Sequence, residues 1–273
     1  ALEIDPGLSM AHSVLGDIYR DRYDWVKADE SYLRALSLNP DNIEANEQYA
    51  QMLWRASYFE AALEYSLKAS DLDPLSWLNL TVHAALRYVS GDTDGGWEDI
   101  QRALRIGGNN RYFALRHALN MSISEGNIEK ATEYMQAISN SSRDDSFKPR
   151  SQEQLAQILP LVGSRGELLD YLRANYARPS SGEVDGAWAT DLFWAAYYGD
   201  YDLAETIFDK GTSIDDGSSQ LDTTWFNYPI IHPLRNSVAY KRLIRRIKLD
   251  AYWHKNGFPD KCRAVGDDDF ACN

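Results

Sequence analysis

The chain has 273 residues, of which 44% are hydrophobic, so it is long enough for one large domain or an extended array of helical pairs. Its formal net charge of −13 argues against binding nucleic acid or anionic lipid, because both partners require clustered Lys and Arg. No apolar run approaches the roughly 18–20 residues that would cross a bilayer.

A repeat of 34 residues organises the first part of the chain. Four positions with small, aromatic or proline residues recur one period later. Ala28, Tyr32, Ala35 and Pro40 correspond to Ala62, Ser66, Ala69 and Pro74. A period of this length is typical of helix–turn–helix units that stack because no unit buries its apolar face alone. The pattern therefore predicts an all-α array of helical hairpins.

The repeat predicts hairpins in chain order over residues 1–212. Their ranges are 9–42, 43–76, 77–111, 112–145, 152–184 and 185–212, and residues 1–8 are expected to be the tail of a preceding repeat. Turns are predicted at Gly91-Asp92, Gly126-Asn127 and Gly199-Asp200, where Gly suits the left-handed residue that closes a helix. The fifth repeat is degenerate, and the polar residues 139–151 predict a surface loop.

Residues 213–273 depart from the repeat and are predicted to form a cap and an acidic tail. Residues 225–234 are aromatic with two prolines, and residues 238–249 carry apolar residues at helical spacing with a basic face. A terminal hairpin needs a cap because its outer face is otherwise apolar. The expected cap residues are Ile230, Leu234, Leu243, Ile247, Tyr252 and Trp253.

The repeats resemble the tetratricopeptide repeat (TPR) family, most clearly in the first, second, fourth and sixth hairpins. This resemblance implies a TPR-like helical-hairpin solenoid, wound as a right-handed superhelix, with a C-terminal helical cap. It also implies that the first helix of each hairpin lines a concave groove that binds a protein or peptide.

The end of the chain is similar to the C-terminal signature of bacterial membrane-bound signalling proteins, which join a winged-helix or nucleotide-cyclase output domain to a TPR region. Lys248 replaces the usual Gly, and twelve residues match: Tyr240, Leu243, Ile244, Arg246, Ile247, Leu249, Tyr252, Trp253, Gly257, Pro259, Asp260 and Cys262. The resemblance implies a sensory or docking module in the periplasm, with the cytoplasm as the alternative. The output domain is not in this sequence, so neither DNA binding nor cyclase activity is assigned to it.

Eleven residues fall at the groove positions that the TPR resemblance implies: Asp17, Arg20, Glu44, Glu47, Gln51, Trp54, Thr81, Tyr88, Phe113, Arg116 and Asn120. Carboxylates beside Trp54 favour a basic or amphipathic peptide, and an exposed Trp or Tyr is typical of a binding hot spot. The Lys and Arg set that clamps a chaperone's acidic tail is missing. The alternative is that these residues face solvent or hold the chain's own C-terminal segment.

No motif in the sequence indicates catalysis, so we expect neither enzymatic activity nor a cofactor or metal. His83 and His117 fall at equivalent positions and are expected to be packed, with metal binding or pH sensing as the alternative. The run Asp267 to Asp269 lacks the ligand spacing of a calcium loop and is read as a solvated tail.

Cys262 and Cys272 are the two cysteines of the chain. They would close a small loop in an oxidising compartment and remain free thiols in the cytosol, and their spacing alone does not decide between these states. The resemblance of the chain end favours the disulfide.

The first functional hypothesis is a non-catalytic protein- or peptide-binding, or sensory, module of a larger bacterial signalling protein. The second is an oligomerisation or scaffold domain that contacts copies of itself. A less favoured third is a small-molecule pocket shaped by residues 139–151 and 225–234.

Overall fold

A computed structural model describes residues 5–108, 111–140, 155–177, 188–213, 223–266 and 269–273. The described residues form helical hairpins with one short pair of strands, so the predicted all-α fold of helical hairpins is confirmed. The chain divides into two compact units. The first unit holds Ala1–Gly107, Asp222–Thr224 and Arg242–Asn273, and the second holds Gly108–Leu221 and Trp225–Lys241.

Three consecutive hairpins make up most of the first unit. Their helices are α1 (Ser9–Asp21), α2 (Trp25–Leu38), α3 (Ile43–Arg55), α4 (Phe59–Leu72), α5 (Trp77–Ser90) and α6 (Thr93–Ile106). Each odd-numbered helix pairs with the next helix, and α2 and α4 also pack against α3 and α5. Side chains of Asp24, Asn42, Ser76 and Asp92 accept backbone N–H groups at the starts of α2, α3, α5 and α6, which satisfies donors that the helix leaves open.

Small residues set the distance between paired helices. A Cβ atom built on Gly16 would lie 2.7 Å from the Tyr32 ring, so only glycine allows α1 and α2 to approach this closely. Ala28 and Ala35 flank Tyr32 on α2 and are fully buried. The repeat pattern in the sequence is therefore the packing pattern of the hairpin.

The second unit contains α7 (Tyr112–Ser124), α8 (Ile128–Ser139), α9 (Arg165–Ala177), α10 (Trp188–Tyr197) and α11 (Tyr201–Ser213). Of the predicted fifth hairpin, the described residues before α9 form only a short helix at 155–158 and a 3-10 turn at Leu159–Leu161. Helix α7 packs directly against α10. The predicted starts at 152 and 185, and most of the predicted loop at 139–151, lie outside the described residues.

The predicted cap is shared between the two compact units. The 3-10 helix Pro229–Asn236 packs against α10 and α11, the last hairpin, as expected of a cap. Helices α12 (Val238–Arg246) and α13 (Leu249–Asn256) follow it. The other expected cap residues, Leu243, Ile247, Tyr252 and Trp253, belong to the first unit and not to the unit that holds the last hairpin.

Residues 242–273 bind the turn ends of the first three hairpins. Trp25 Nε1 at the start of α2 donates to the Ile247 carbonyl at 2.7 Å, and Trp253 Nε1 donates to the Ala56 carbonyl at 2.9 Å. Lys261 Nζ donates to the carbonyl of Val89, near the end of α5, at 3.1 Å. The C-terminal segment therefore contacts all three hairpins, although it is far from each of them in the sequence.

Residues 269–273, at the acidic end of the chain, do not form a solvated tail. Strands β1 (Cys262–Val265) and β2 (Asp269–Cys272) pair antiparallel, and Cys262 and Cys272 face each other and form a disulfide. Phe270 is buried edge-on against Trp253, with ring centroids 5.2 Å apart. The disulfide and the buried ring anchor an end that its acidic composition alone would leave in solvent. Residues 267 and 268 lie outside the described residues.

Helix α4 is capped from a distant part of the chain. Its N-cap residue, Tyr58, provides no side-chain cap, and Asp260 instead accepts the backbone N–H groups of Phe59 and Glu60 at 2.9 and 3.2 Å. A carboxylate at this end also interacts favourably with the helix dipole. Among the described residues, the helices are too short or too polar for any of them to traverse a lipid bilayer.

Replacing Asp260 by Ala is expected to lower the free energy of unfolding by about 1–2 kcal/mol, because two helix N–H groups lose their charged acceptor. Urea unfolding followed by circular dichroism measures this loss. Asp260→Asn retains an oxygen acceptor and should lose less. Asp71→Ala, which removes an exposed carboxylate from the same helix, should change little, and an equal loss in all three variants would contradict the capping role.

Candidate functional site

The eleven predicted groove residues lie on the first helices of the hairpins, α1, α3, α5 and α7. Six of them are buried: Arg20, Glu47, Trp54, Thr81, Tyr88 and Asn120. Five are partly exposed: Asp17, Glu44, Gln51, Phe113 and Arg116. Within the first unit the exposure of these positions falls from α1 to α5, so only the α1–α3 part offers polar side chains to a partner.

Trp54 and Tyr88 are not the exposed anchors that the sequence indicates. Their side chains are only 1% and 3% exposed, so the expectation of exposed hot-spot rings is wrong. The end of α3 beside Trp54 is covered by the chain itself, because Thr223 Oγ1 donates to the Arg55 carbonyl at 3.0 Å. The repeat pattern does not predict this contact, because Thr223 lies 168 residues after Arg55 in the sequence.

On α7, the predicted groove positions hold the chain's own C-terminal segment. The Arg116 guanidinium lies 4.1 Å from the centroid of the Trp225 ring, and the neighbouring His117 stacks on the same ring at 5.6 Å. His117 Nδ1 also lies 2.7 Å from the Tyr228 hydroxyl. At α7, therefore, the predicted groove residues contact the chain's own C-terminal segment, as the alternative expectation states. The expected small-molecule pocket involves two segments. Of these, residues 225–228 pack on α7, and most of residues 139–151 lie outside the described part of the chain.

Arg20, although buried, connects α1 to α3 beside the partly exposed Asp17. Its guanidinium is 3.2 Å from the Asp17 carboxylate and donates to Gln48 Oε1 at 2.8 Å. Asp17 also accepts the Tyr32 hydroxyl at 2.7 Å, which fixes the carboxylate against α2. Gln48 lies outside the predicted site because its offset in the repeat is not a groove position.

Three carboxylates, those of Asp17, Glu44 and Glu47, lie close enough for the charges of the first two to act on Glu47, and we call them the acidic row. Glu47 is buried on α3 and accepts Gln51 Nε2 at 3.1 Å. Burial, followed by the negative charges of Glu44 and Asp17, raises the pKa of Glu47 to about 7. The charges of Glu44 and Asp17 therefore oppose the ionisation of Glu47 more strongly than the charge of Arg20 favours it.

A Ser–His–Asp grouping between α4, α5 and α6 is structural. Ser66 Oγ lies 2.9 Å from His83 Nδ1, and Asp99 lies 4.0 Å from His83 Nε2. Ser66 is only 2% exposed and its hydroxyl donates to the Leu63 carbonyl, so it is not presented as a nucleophile. Burial lowers the pKa of His83, and Arg87 binds Asp99 at 2.7 Å.

The described residues also contain no group of three or more His, Cys, Asp or Glu side chains that could hold a metal ion. No protein-family model matches the chain, and no curated protein matches its sequence. The TPR resemblance thus stays a prediction from the repeat, and the acidic row is the arrangement from which we infer function.

Replacing Glu47 by Gln is expected to stabilise the fold by about 2 kcal/mol above pH 7. The folded state raises the pKa of Glu47 from 4.5 to about 7, so the native chain binds the proton more tightly than the unfolded chain. Its stability therefore falls as pH rises through this window, and the variant lacks that loss.

Urea unfolding at several pH values measures the difference between Glu47→Gln and the parent. The advantage of the variant should vanish below pH 4.5, where the carboxyl is protonated in both states. Glu64→Gln removes an exposed carboxylate of α4 and should show no such dependence. A difference that does not vary with pH would exclude the charge of Glu47 as its origin.

Proposed function

We propose that the chain is a non-catalytic, TPR-type module that binds a basic protein or peptide segment through the acidic row. The observation that carries this proposal is the buried Glu47 carboxylate, kept beside Glu44 and Asp17 although its pKa is raised to about 7. An arrangement that costs folding free energy is typical of a functional site. A bound Lys or Arg would offset the cost by supplying the missing positive charge.

The position of the acidic row supports binding rather than packing. Asp17 and Glu44 remain partly exposed, whereas Thr81 and Tyr88 on α5 are buried. A partner segment lying across α1 and α3 would therefore reach the carboxylates. Backbone or side-chain N–H groups of the partner would complete their hydrogen bonds, and charge-assisted bonds of this kind are stronger than neutral ones.

Two further features fit a sensory or docking module of a bacterial signalling protein, as the resemblance of the chain end implies. The disulfide between Cys262 and Cys272 suits an oxidising compartment and supports an extracytoplasmic location. The burial of Ser66 in the Ser–His–Asp grouping supports a role without catalysis.

The double variant Glu44→Gln, Glu47→Gln is expected to weaken binding of a short fluorescein-labelled peptide rich in Arg and Leu by about tenfold or more. Fluorescence anisotropy at low and high NaCl measures the affinity, which should fall with salt because exposed charges are screened. The variant Glu64→Gln, Glu98→Gln removes two exposed carboxylates of the same unit and is the matched control. Equal binding by both variants would refute the acidic row as the site.

Self-association is a second candidate function, favoured by the charge distribution. Residues 238–263 carry eight Lys or Arg and two Asp in a chain of net charge −13. Arg242, Arg246 and Lys248 are exposed at this end of the first unit, and Arg245 pairs with Asp269 at 2.9 Å. This basic face is complementary in charge to the acidic row of a second copy, which would give a head-to-tail contact.

If copies associate in this way, the sedimentation coefficient should rise with concentration at low salt and the increase should disappear at high salt. Arg242→Glu with Arg246→Glu should abolish the association, because the basic face then repels the acidic row. The matched control is Arg34→Glu with Arg105→Glu, which makes the same change of charge at exposed positions elsewhere in the unit and should leave the association intact. A monomer at every concentration in low salt would exclude this candidate.

A further inference from the structure

Strand β1 forms one edge of the two-stranded sheet, and the register of the sheet shows which of its backbone groups face outward. The Asn273 N–H donates to the Lys261 carbonyl at 2.8 Å, so these two residues form a hydrogen-bonded pair of the ladder. Such pairs alternate along an antiparallel ladder with pairs that exchange no hydrogen bond. Ala264 lies three residues after Lys261, so its N–H and carbonyl groups point away from β2.

This outward edge of β1 is accessible to a partner strand. Arg263, Ala264 and Val265 are exposed, and no described residue forms a hydrogen bond with the Ala264 backbone. The Cys262 N–H also points outward, but the Pro259 carbonyl accepts it at 2.9 Å. Backbone donors and acceptors at an exposed sheet edge are a template for a further strand.

The inner side of the same hairpin holds β1 in its extended conformation. A disulfide joins Cys262 to Cys272 across the strand pair. Phe270 of β2 packs edge-on against Trp253, with ring centroids 5.2 Å apart. The edge is therefore ordered before a partner strand arrives, which lowers the conformational entropy that pairing costs.

A second copy of β1 is complementary to this edge in an antiparallel pair centred on Ala264. In that register the N–H and carbonyl groups of Ala264 exchange two hydrogen bonds with those of its counterpart across a two-fold axis. The Gly266 N–H of each copy faces the Cys262 carbonyl of the other copy. Arg263 lies opposite Val265 of the other copy, so no like charges stand directly opposite each other. The aliphatic stem of the arginine would cover the valine, which is 41% exposed.

We infer that β1 is a self-association edge, at which two copies of the chain pair antiparallel and join two short hairpins into one four-stranded sheet. Strands of four residues bury little area, so the dimer is expected to be weak and to form where copies are concentrated. A β1 dimer does not involve the acidic row. It also differs from a head-to-tail contact between the basic face and the acidic row, because the two-fold axis closes it and no ion pair is required.

The variant Ala264→Pro tests the edge directly. It removes the outward N–H of β1 but leaves the bonds to β2 intact, since proline is tolerated where the N–H of an edge strand faces solvent. Sedimentation of the full chain in high NaCl, from micromolar to millimolar concentration, should show a dissociation constant raised at least about tenfold. Ala264→Ser keeps the N–H and is the matched control. The urea midpoint and the disulfide should be unchanged in both variants.

Two substitutions of Val265 test the register. Val265→Glu places a carboxylate opposite Arg263 of the second copy and should strengthen the dimer, whereas Val265→Lys should weaken it. Within one hairpin Val265 pairs with Asp269, which favours Lys over Glu at this position. An effect on the hairpin alone therefore has the opposite sign from the effect on the dimer.

Hydrogen exchange measured at low and high concentration completes the test. The Ala264 and Gly266 amides should gain protection as the dimer forms, and a lack of gain would contradict pairing at β1. The inference is also wrong if the chain is monomeric at millimolar concentration or if Ala264→Pro associates as the parent does. Association that Arg242→Glu with Arg246→Glu abolishes and Ala264→Pro leaves intact would assign the contact to the basic face instead.

Discussion

The contacts between residues 242–273 and the turns of the first three hairpins constrain the whole first unit. A hairpin in a repeat array contacts its neighbours only, so its stability depends on local interfaces. Here Trp25, Ala56 and Val89, one from each hairpin, bind the same C-terminal segment through hydrogen bonds. These bonds span long sequence separations, and the disulfide between Cys262 and Cys272 limits the freedom of the segment that makes them.

Burial by the chain's own segments decides which of the predicted groove positions stay accessible. Trp225 and Tyr228 cover α7, and Thr223 binds the end of α3, so aromatic residues that would suit a peptide groove belong to the core instead. The accessible polar surface is left on α1 and the first part of α3. Its carboxylates are held close together by helix geometry, because Glu44 and Glu47 lie one turn apart.

The competition between folding and binding is clearest at Glu47. Burial and two neighbouring carboxylates oppose its ionisation, while Gln51 supplies a hydrogen bond. Arg20 does not neutralise the group fully, because it also binds Asp17 and Gln48. The unfavourable ionisation of Glu47 is therefore a local cost to folding. This cost is the physical basis for proposing the acidic row as the site.

Local pattern by itself determined the hairpins. Gly16, Ala28, Tyr32 and Ala35 specify close helix pairing because a larger side chain would clash, and these contacts lie within one repeat. The sequence also placed Asp17, Glu44 and Glu47 on first helices, since helix periodicity fixes which residues share a face. It could not determine which of these positions stay exposed.

Only the tertiary structure decided that Trp54 and Tyr88 are buried, that Asp260 caps α4, and that residues 242–273 return to the first hairpins. It also decided that the acidic end forms a strand pair rather than a solvated tail. The cap on α4 and the return of residues 242–273 depend on contacts between residues far apart in the chain. A periodic pattern encodes only the packing between neighbouring repeats, so it carries no record of such contacts.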